Sequence, residues 1–314
     1  MKPVIPFISQ QSRQLQTDWI NKLTSAIPSE SFKLANEINP LEQKQCKIAI
    51  VANPSQDDLK LFPNLKWVQS LWAGVENLIQ PSIDQGFKLI RMVDPTLTEA
   101  MAEAVLAWSL YLHRKMPSYA TQQKDKVWLP QPYVFPNQCK IGILGLGELG
   151  QASAKRLLDN GFSVMGWSRT KKNINGVKTF HGPEGLAQML KATNILVCLL
   201  PLTKDTQSMI DNKLLSQLPK DASLINFARG QLVNTKDLVN ALNHNEMYHA
   251  VLDVFEKEPL SSNNPLWTNQ KITVLPHIAA ATNLDTAVKI VAKNIIEYRN
   301  TGKINSVVNL NRGY

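Results

Sequence analysis

The chain contains no run of 18 or more apolar residues, the length at which a hydrophobic segment reads as a membrane-spanning helix, so no membrane role is expected. Cysteine is sparse. Cys46, Cys139 and Cys198 are far apart, odd in number, without a CxxC spacing, and each lies in an apolar, strand-like context. That argues against a disulfide framework or a metal site and for buried thiols in a reducing compartment. The net charge is +9, but tracts of like charge are missing: Lys124/Lys126 and Lys171-Lys172 are pairs. A solvated basic surface, able to steer anionic ligands, is therefore expected rather than a nucleic-acid interface. Internal repeats and low-complexity tracts are also absent. The opening Met1-Lys-Pro-Val-Ile-Pro-Phe-Ile-Ser9 is too short and too proline-broken to read as a signal peptide, and a cytoplasmic location is expected.

What is present is an ordinary globular composition, 44% hydrophobic and 19% charged, in 314 residues, enough for two domains with separate cores. The chain is organised around Lys140-Ile-Gly-Ile-Leu-Gly-Leu-Gly-Glu-Leu-Gly150. An apolar run, Ile141 to Leu144, enters Gly145-x-Gly147-x-x-Gly150, and Gln151 to Leu158 continues with apolar positions at helical spacing. Strand, tight turn and helix in that order point to a dinucleotide site. Gly145 would serve the turn, Gly147 the approach of a pyrophosphate, and Gly150 the packing of helix on strand. The N–H groups of Glu148, Leu149 and Gly150 would face the phosphates.

Around this stretch, strand and helix signals alternate, which implies parallel, doubly wound sheets. Before it come strands at Val4 to Ser9, Lys47 to Ala52, Leu65 to Leu71 and Phe87 to Val93, with a helix from Gln14 to Ile27. A long helix follows from Glu99 to Arg114 with Thr98 as N-cap, and then an irregular Lys126 to Gln138. After the glycine loop, a strand and its end are expected over Phe162 to Thr170, and further strands at Asn194 to Leu200, Ser223 to Asn226, His249 to Val254 and Ile272 to Leu275. Helices are expected over Gly182 to Lys191, Lys213 to Leu218, Thr235 to Asn243 and Asp285 to Arg299, with Ile304 to Leu310 returning to a sheet.

An NAD-selective domain usually places an acid about 20 residues beyond the glycines, to hold the ribose 2′-OH. Here Ser168, Arg169, Thr170, Lys171 and Lys172 occupy that place, donors suited to a 2′-phosphate, so NADP is preferred and NAD is the alternative. Three polar residues stand at or just after strand ends, where open parallel sheets bind ligands: Arg229 in Asn226-Phe-Ala-Arg-Gly230, Glu258 in Asp253-Val-Phe-Glu-Lys-Glu-Pro-Leu260, and His277 in Leu275-Pro-His-Ile278. Taken singly, each also fits a surface or core role.

Together with Leu71-Trp-Ala-Gly-Val-Glu76 and Leu199-Leu-Pro-Leu-Thr203, these motifs resemble, in order and over nearly the whole chain, the D-isomer-specific 2-hydroxyacid dehydrogenase family, in its glyoxylate/hydroxypyruvate reductase branch. The resemblance implies hydride transfer to a short 2-oxo acid. His277 would be proton donor, Glu258 its carboxylate partner, and Arg229 the ligand of the substrate carboxylate and reacting oxygen. It also implies a substrate loop of Trp72, Ala73, Gly74 and Val75, and cofactor contacts from Leu200, Pro201 and Asp253. No metal is implied. The family resemblance further implies a Rossmann cofactor domain, 104–285, inserted into a flavodoxin-like substrate domain, 1–103 with 286–314, with the site in a cleft that closes by a hinge, and a homodimer.

Trp72 stands where many members have a small residue, and reads equally as a pocket wall or as a core tryptophan under the loop. Glu76 stands where many have Asp, and Asn283 where the branch often has Arg. The identity of the oxo acid is therefore open, a larger one included. A dinucleotide-sensing, corepressor-like binding protein is the alternative from another class.

Overall fold

In the computed structural model, which describes residues 4–312, the chain divides into two compact units. One holds the residues up to Leu97 together with those from Thr282 onward, and the other holds Thr98–Ala281.

The first unit is built on five parallel strands: β1 (Ile5–Ser9), β2 (Phe32–Leu34), β3 (Ile48–Ala52), β4 (Trp67–Ser70) and β5 (Lys88–Ile90), in the order β2-β1-β3-β4-β5. Central β3 reads Ile-Ala-Ile-Val-Ala and is buried at every position, as a strand covered on both faces must be. Alternate residues serve opposite cores. Phe7 and Ile50 pack with Trp19 and Leu23 of the helix Arg13–Ala26 and with Val291 and Ile295 of the helix Leu284–Thr301. Ile8 and Val51 face Leu59, Phe62 and Leu78 on the other side. Glu30, whose side chain is 3% exposed, accepts two hydrogen bonds from Arg299, from Nε at 2.8 Å and from NH2 at 2.9 Å, and so ties the turn before β2 to the last helix.

The second unit has seven parallel strands: β6 (Lys140–Leu144), β7 (Ser163–Ser168), β8 (Lys178–His181), β9 (Ile195–Cys198), β10 (Ala222–Asn226), β11 (Met247–Leu252) and β12 (Ile272–Val274). Their order is β12-β11-β10-β9-β6-β7-β8, so the chain reverses its direction of travel across the sheet between β6 and β9. Both sheets are the doubly wound, all-parallel kind that the alternating pattern predicts. Cys46, Cys139 and Cys198 are free and buried, and burial pushes their thiols up to about 11, about 11 and about 12. No helix among the described residues is long and apolar enough to cross a membrane.

Several local expectations need correction. The long helix runs Pro95–His113, not from Thr98, because Asp94 accepts from Thr96 N at 2.9 Å and Pro95 supplies a preset φ for the first turn. Asp94-Pro95, just beyond the expected strand Phe87 to Val93, is thus the start of a helix. Ile304 to Leu310 does not return as a strand: it makes one antiparallel bridge, Ile90 to Val307, with Val308 N donating to Leu89 O. The edge strands β2, Phe-Lys-Leu, and β8, Lys-Thr-Phe-His, add to the expected set; each is short and carries a lysine, without the continuous apolar run that marks the buried strands. A helix, Met116–Asp125, also precedes the irregular segment.

Replacing Glu30 with Gln removes the charge that Arg299 is paired to. The urea midpoint of the first unit should fall by the equivalent of about 1.5–3 kcal/mol, read by tryptophan fluorescence.

Candidate active site

Gly145 has φ +101°, a left-handed conformation that favours glycine, and a Cβ on it would lie 2.7 Å from Leu199 O. Gly150 is just as constrained, since its Cβ would collide with the carbonyl oxygen of Gly145. These two glycines are demanded by the protein's own packing. Gly147 is not: a Cβ there would meet no protein atom within 4 Å, so the space beside it is open. Gly147 caps the helix Glu148–Asp159 without a side-chain hydrogen bond, and the first intrahelical bond to its carbonyl comes from Gln151. The amides of Glu148, Leu149 and Gly150 therefore lie in the first turn, before the ladder begins, at the positive end of the helix dipole. The loop fits a pyrophosphate.

Next to it, β7 ends at Ser168, whose hydroxyl donates to Thr170 O at 2.8 Å and tightens the turn. Arg169, Thr170, Lys171 and Lys172 are exposed there, and no acid stands between Asp159 and Glu184 in the sequence. Leu200 is buried and Pro201 half-buried just beyond β9, the strand beside β6.

The polar residues after β10, β11 and β12 are brought together. His277 Nδ1 donates to Glu258 Oε2 at 2.7 Å, and Glu258 Oε1 accepts from Phe255 N at 2.9 Å. One carboxylate thus holds the ring and its own loop. The Glu258 bond, outweighing the opposing effect of burial and helped by the charges of Glu258 and Asp253 against that of Arg229, holds the His277 pKa above its ordinary 6.5. Burial works to raise the Glu258 carboxyl, but the His277 bond, the Phe255 amide and the His277 and Arg229 charges outweigh it and hold it low. The result is an imidazole with Nδ1 tied and a half-exposed ring, suited to give or take a proton at Nε2.

Arg229 is half-buried and lies near enough to this pair for its charge to act on both. Its loop is shaped by Asn226, 1% exposed, whose Nδ2 donates to Arg229 O at 2.9 Å and whose Oδ1 accepts from Ala228 N at 3.2 Å. A Cβ on Gly230 would collide with the backbone of Phe255 and Glu256, so the Arg229 and Glu258 loops touch main chain to main chain. Sequence reasoning gave neither Asn226 nor Gly230 a role. The signal was there, a buried amide side chain ending a mostly apolar strand and a glycine directly after a charged residue, but only the neighbouring loop gives it meaning.

Within the first unit, Trp72 to Val75 join β4 to the helix Glu76–Gln85. Ser70 Oγ accepts from Trp72 N at 3.0 Å, Trp72 O accepts from Met92 N at 3.0 Å, and Val75 caps the helix with no side-chain bond. The Trp72 ring packs against the core beneath the loop, and its indole N–H is buried without an acceptor among the described residues. Asn283 also has a local task, accepting from Asp285 N and Thr286 N as N-cap of the last helix.

Residues 106–279 match the family model described as D-isomer specific 2-hydroxyacid dehydrogenase, NAD binding domain. The chain is 35% identical over 302 residues to a glyoxylate/hydroxypyruvate reductase A of Yersinia enterocolitica, covering 94% of this chain and 96% of that one. Among solved structures, a D-isomer specific 2-hydroxyacid dehydrogenase of Xanthobacter autotrophicus in complex with NADPH and MES superposes with a TM-score of 0.92 at 33% identity, over 100% of both chains. An NADPH-dependent glyoxylate/hydroxypyruvate reductase of Sinorhizobium meliloti with NADP and sulfate gives 0.90 at 30% identity, again over 100% of both.

In an NMR titration, His277 should protonate with a midpoint above 6.5, and Glu258→Gln should lower it. The folded protein holds this proton more tightly than the unfolded chain. Its contribution to stability is therefore full below the ordinary imidazole pKa and is lost as pH rises through the raised one.

Proposed function

The chain belongs to the D-isomer specific 2-hydroxyacid dehydrogenase family and is an NAD(P)-dependent oxidoreductase, and on that footing we propose that it reduces a short 2-oxo acid, glyoxylate or hydroxypyruvate, with NADPH. The observation that carries the reading is the His277–Glu258 hydrogen bond beside Arg229, on the carboxyl edge of a sheet whose glycine loop fits a dinucleotide.

The cofactor, when bound, supplies the hydride. The chain's residues do the rest. Arg229, permanently charged and able to form paired hydrogen bonds, binds the substrate carboxylate and the oxo oxygen. As negative charge grows on that oxygen, His277 gives up its Nε2 proton, and Glu258 holds the ring in place and favours its protonated form. Reduction therefore needs the imidazolium, and its rate falls as pH rises through the raised His277 pKa. Oxidation of the 2-hydroxy acid needs the neutral ring and has the opposite dependence.

Gly145, Gly147, Glu148, Leu149 and Gly150 would hold the pyrophosphate, and Ser168, Arg169, Thr170 and Lys171 a 2′-phosphate. NADPH and NADP in the Xanthobacter and Sinorhizobium structures support this assignment. Ala73, Gly74 and Val75 are assigned to the substrate carboxylate, and Leu200 and Pro201 to the cofactor, on the family resemblance. A homodimer is proposed on the same ground, supported by exposed Trp128, Leu129, Tyr133 and Phe135 in the irregular segment.

The deciding assay compares kcat/KM for glyoxylate, hydroxypyruvate and phenylpyruvate, each with NADPH and NADH. A preference for the two short acids with NADPH is expected. No turnover of any 2-oxo acid, together with cofactor-dependent capture of a protein partner, would replace this reading with the sensor. The glycines give a separable test. Gly147→Ala should leave the melting temperature near wild type while weakening NADPH about tenfold or more, a loss of about 1.4 kcal/mol. Gly150→Ala should lower the melting temperature, because the collision is with the protein's own backbone.

A further inference from the structure

We propose that Gln69 and Asn294 are positioning residues for the substrate loop Trp72 to Val75, joined in a buried amide bridge that sets the main chain at the root of that loop. The proposal rests on the reading that Ala73, Gly74 and Val75 bind the substrate carboxylate, and adds two residues that lie outside the loop.

Gln69 is the third residue of β4, Trp-Val-Gln-Ser, and is 0% exposed. Side chains alternate along a strand, so Gln69 shares a face with Trp67, which packs in the core under the helix Leu284–Thr301. Asn294 comes from that helix, three residues after Val291 and one before Ile295, both buried in the same core. An amide on an apolar face is costly unless it is hydrogen-bonded. Here both ends of the Gln69 amide are: Nε2 donates to Ser70 O at 2.9 Å, and Oε1 accepts from Asn294 Nδ2 at 2.8 Å. The orientation is forced, because Ser70 O can only accept. The nitrogen of Gln69 must face it, and the oxygen is left for Asn294, which must donate.

Ser70 O needs this donor because the sheet does not supply one. β4 and β5 run parallel with Trp67 opposite Lys88, and Lys88 N donates to Lys66 O at 2.9 Å. Continued two residues at a time, that ladder would bring Met92 N to Ser70 O. Met92 N instead reaches Trp72 O at 3.0 Å, so the chain leaves the regular ladder between Ser70 and Trp72. Leu71 O, between them, accepts from Thr282 Oγ1 at 3.2 Å. Three successive carbonyls are thus held, by Gln69, Thr282 and Met92. The next three amides, those of Ala73, Gly74 and Val75, donate to no group among the described residues, the arrangement in which main chain can receive an anion.

A polar pair in an apolar core contributes little to stability, since replacing both partners by apolar groups of similar shape is often neutral. What the Gln69–Asn294 pair supplies is direction: it fixes where Ser70 O points, and so where the loop begins. Gln69→Met combined with Asn294→Leu removes both amides at nearly constant volume. Neither amide is then left unpaired, and Ser70 O can return to the ladder through Met92 N. That step releases Trp72 O, so the fold is kept and the loop moves.

The test is made on the full chain by NMR without substrate, and then by kinetics. In the wild type, the side-chain amide protons of Gln69 should exchange with water at least about a hundredfold more slowly than those of exposed Asn77. In the double variant, the melting temperature should stay within about 5 °C of wild type and the Ala73, Gly74 and Val75 amide resonances should shift. KM for glyoxylate should rise about fivefold or more, with kcat within about threefold and the NADPH Kd within about twofold. Should the double variant fail to fold, the same readouts on Asn294→Asp decide, because a carboxylate only accepts and draws the Gln69 nitrogen away from Ser70 O. Gln69 protons that exchange as fast as those of Asn77 overturn the proposal. So do loop resonances that stay in place, or a loss of stability with KM unchanged. The NMR readouts need no turnover: a wild type that reduces no 2-oxo acid removes the reductase reading, while the exchange and the loop resonances still decide this one.

Discussion

A parallel sheet brings the carboxyl ends of all its strands to one edge, and each chemically relevant part of the second unit follows from that constraint. The glycine loop leaves β6, the basic turn leaves β7, and Arg229, Glu258 and His277 leave β10, β11 and β12. The order of the strands sets which of these groups are neighbours. Since β10, β11 and β12 are adjacent, so are the loops that carry the arginine, the carboxylate and the imidazole. Residues 48 positions apart in sequence, Arg229 and His277, act on one another's charge without any local pattern to announce it.

The loops themselves are set by main chain more than by side chains. Gly230 allows the turn of Arg229 to touch the backbone that leads to Glu258, and the buried carboxylate of Asp253 grips two amides after His277. The side chains of Arg229 and His277 can then be half-exposed, because what places them is buried. The cofactor loop shows the same division, with Gly145 and Gly150 required by packing inside the protein and Gly147 left open toward whatever binds. Electrostatics adds a direction to this frame: two carboxylates and one guanidinium around His277 leave the imidazole more basic than it is in water.

Much of this was legible in the sequence, and for physical reasons. Buried strands such as β3 and β9 read as short apolar runs, and the glycine loop reads directly because its constraints are local. The helix Thr235–Asn243 matches its expected span because an Asn cap and a strong apolar face mark it. Misreadings fell where one local signal served two structures. An Asp-Pro pair can close a strand but here opens a helix, and β2, Phe-Lys-Leu, lacks the apolar run that marks the buried strands. In the site, residue types could nominate His277, Glu258 and Arg229, but not the roles of Asn226 and Gly230, which exist only through contacts with another loop. Trp72, which reads from the sequence equally as a pocket wall or a core residue, packs against the core of the first unit.

The central claim is that His277 delivers the proton in a 2-oxo-acid reduction that the rest of the second unit assembles. Single-turnover reduction of glyoxylate by His277→Ala, with NADPH saturating and its fluorescence followed, tests it most directly. A chemical step slower by at least about a hundredfold, with an NADPH Kd within about threefold of wild type, is expected. A chemical step close to wild type, or a loss confined to NADPH binding, would contradict it.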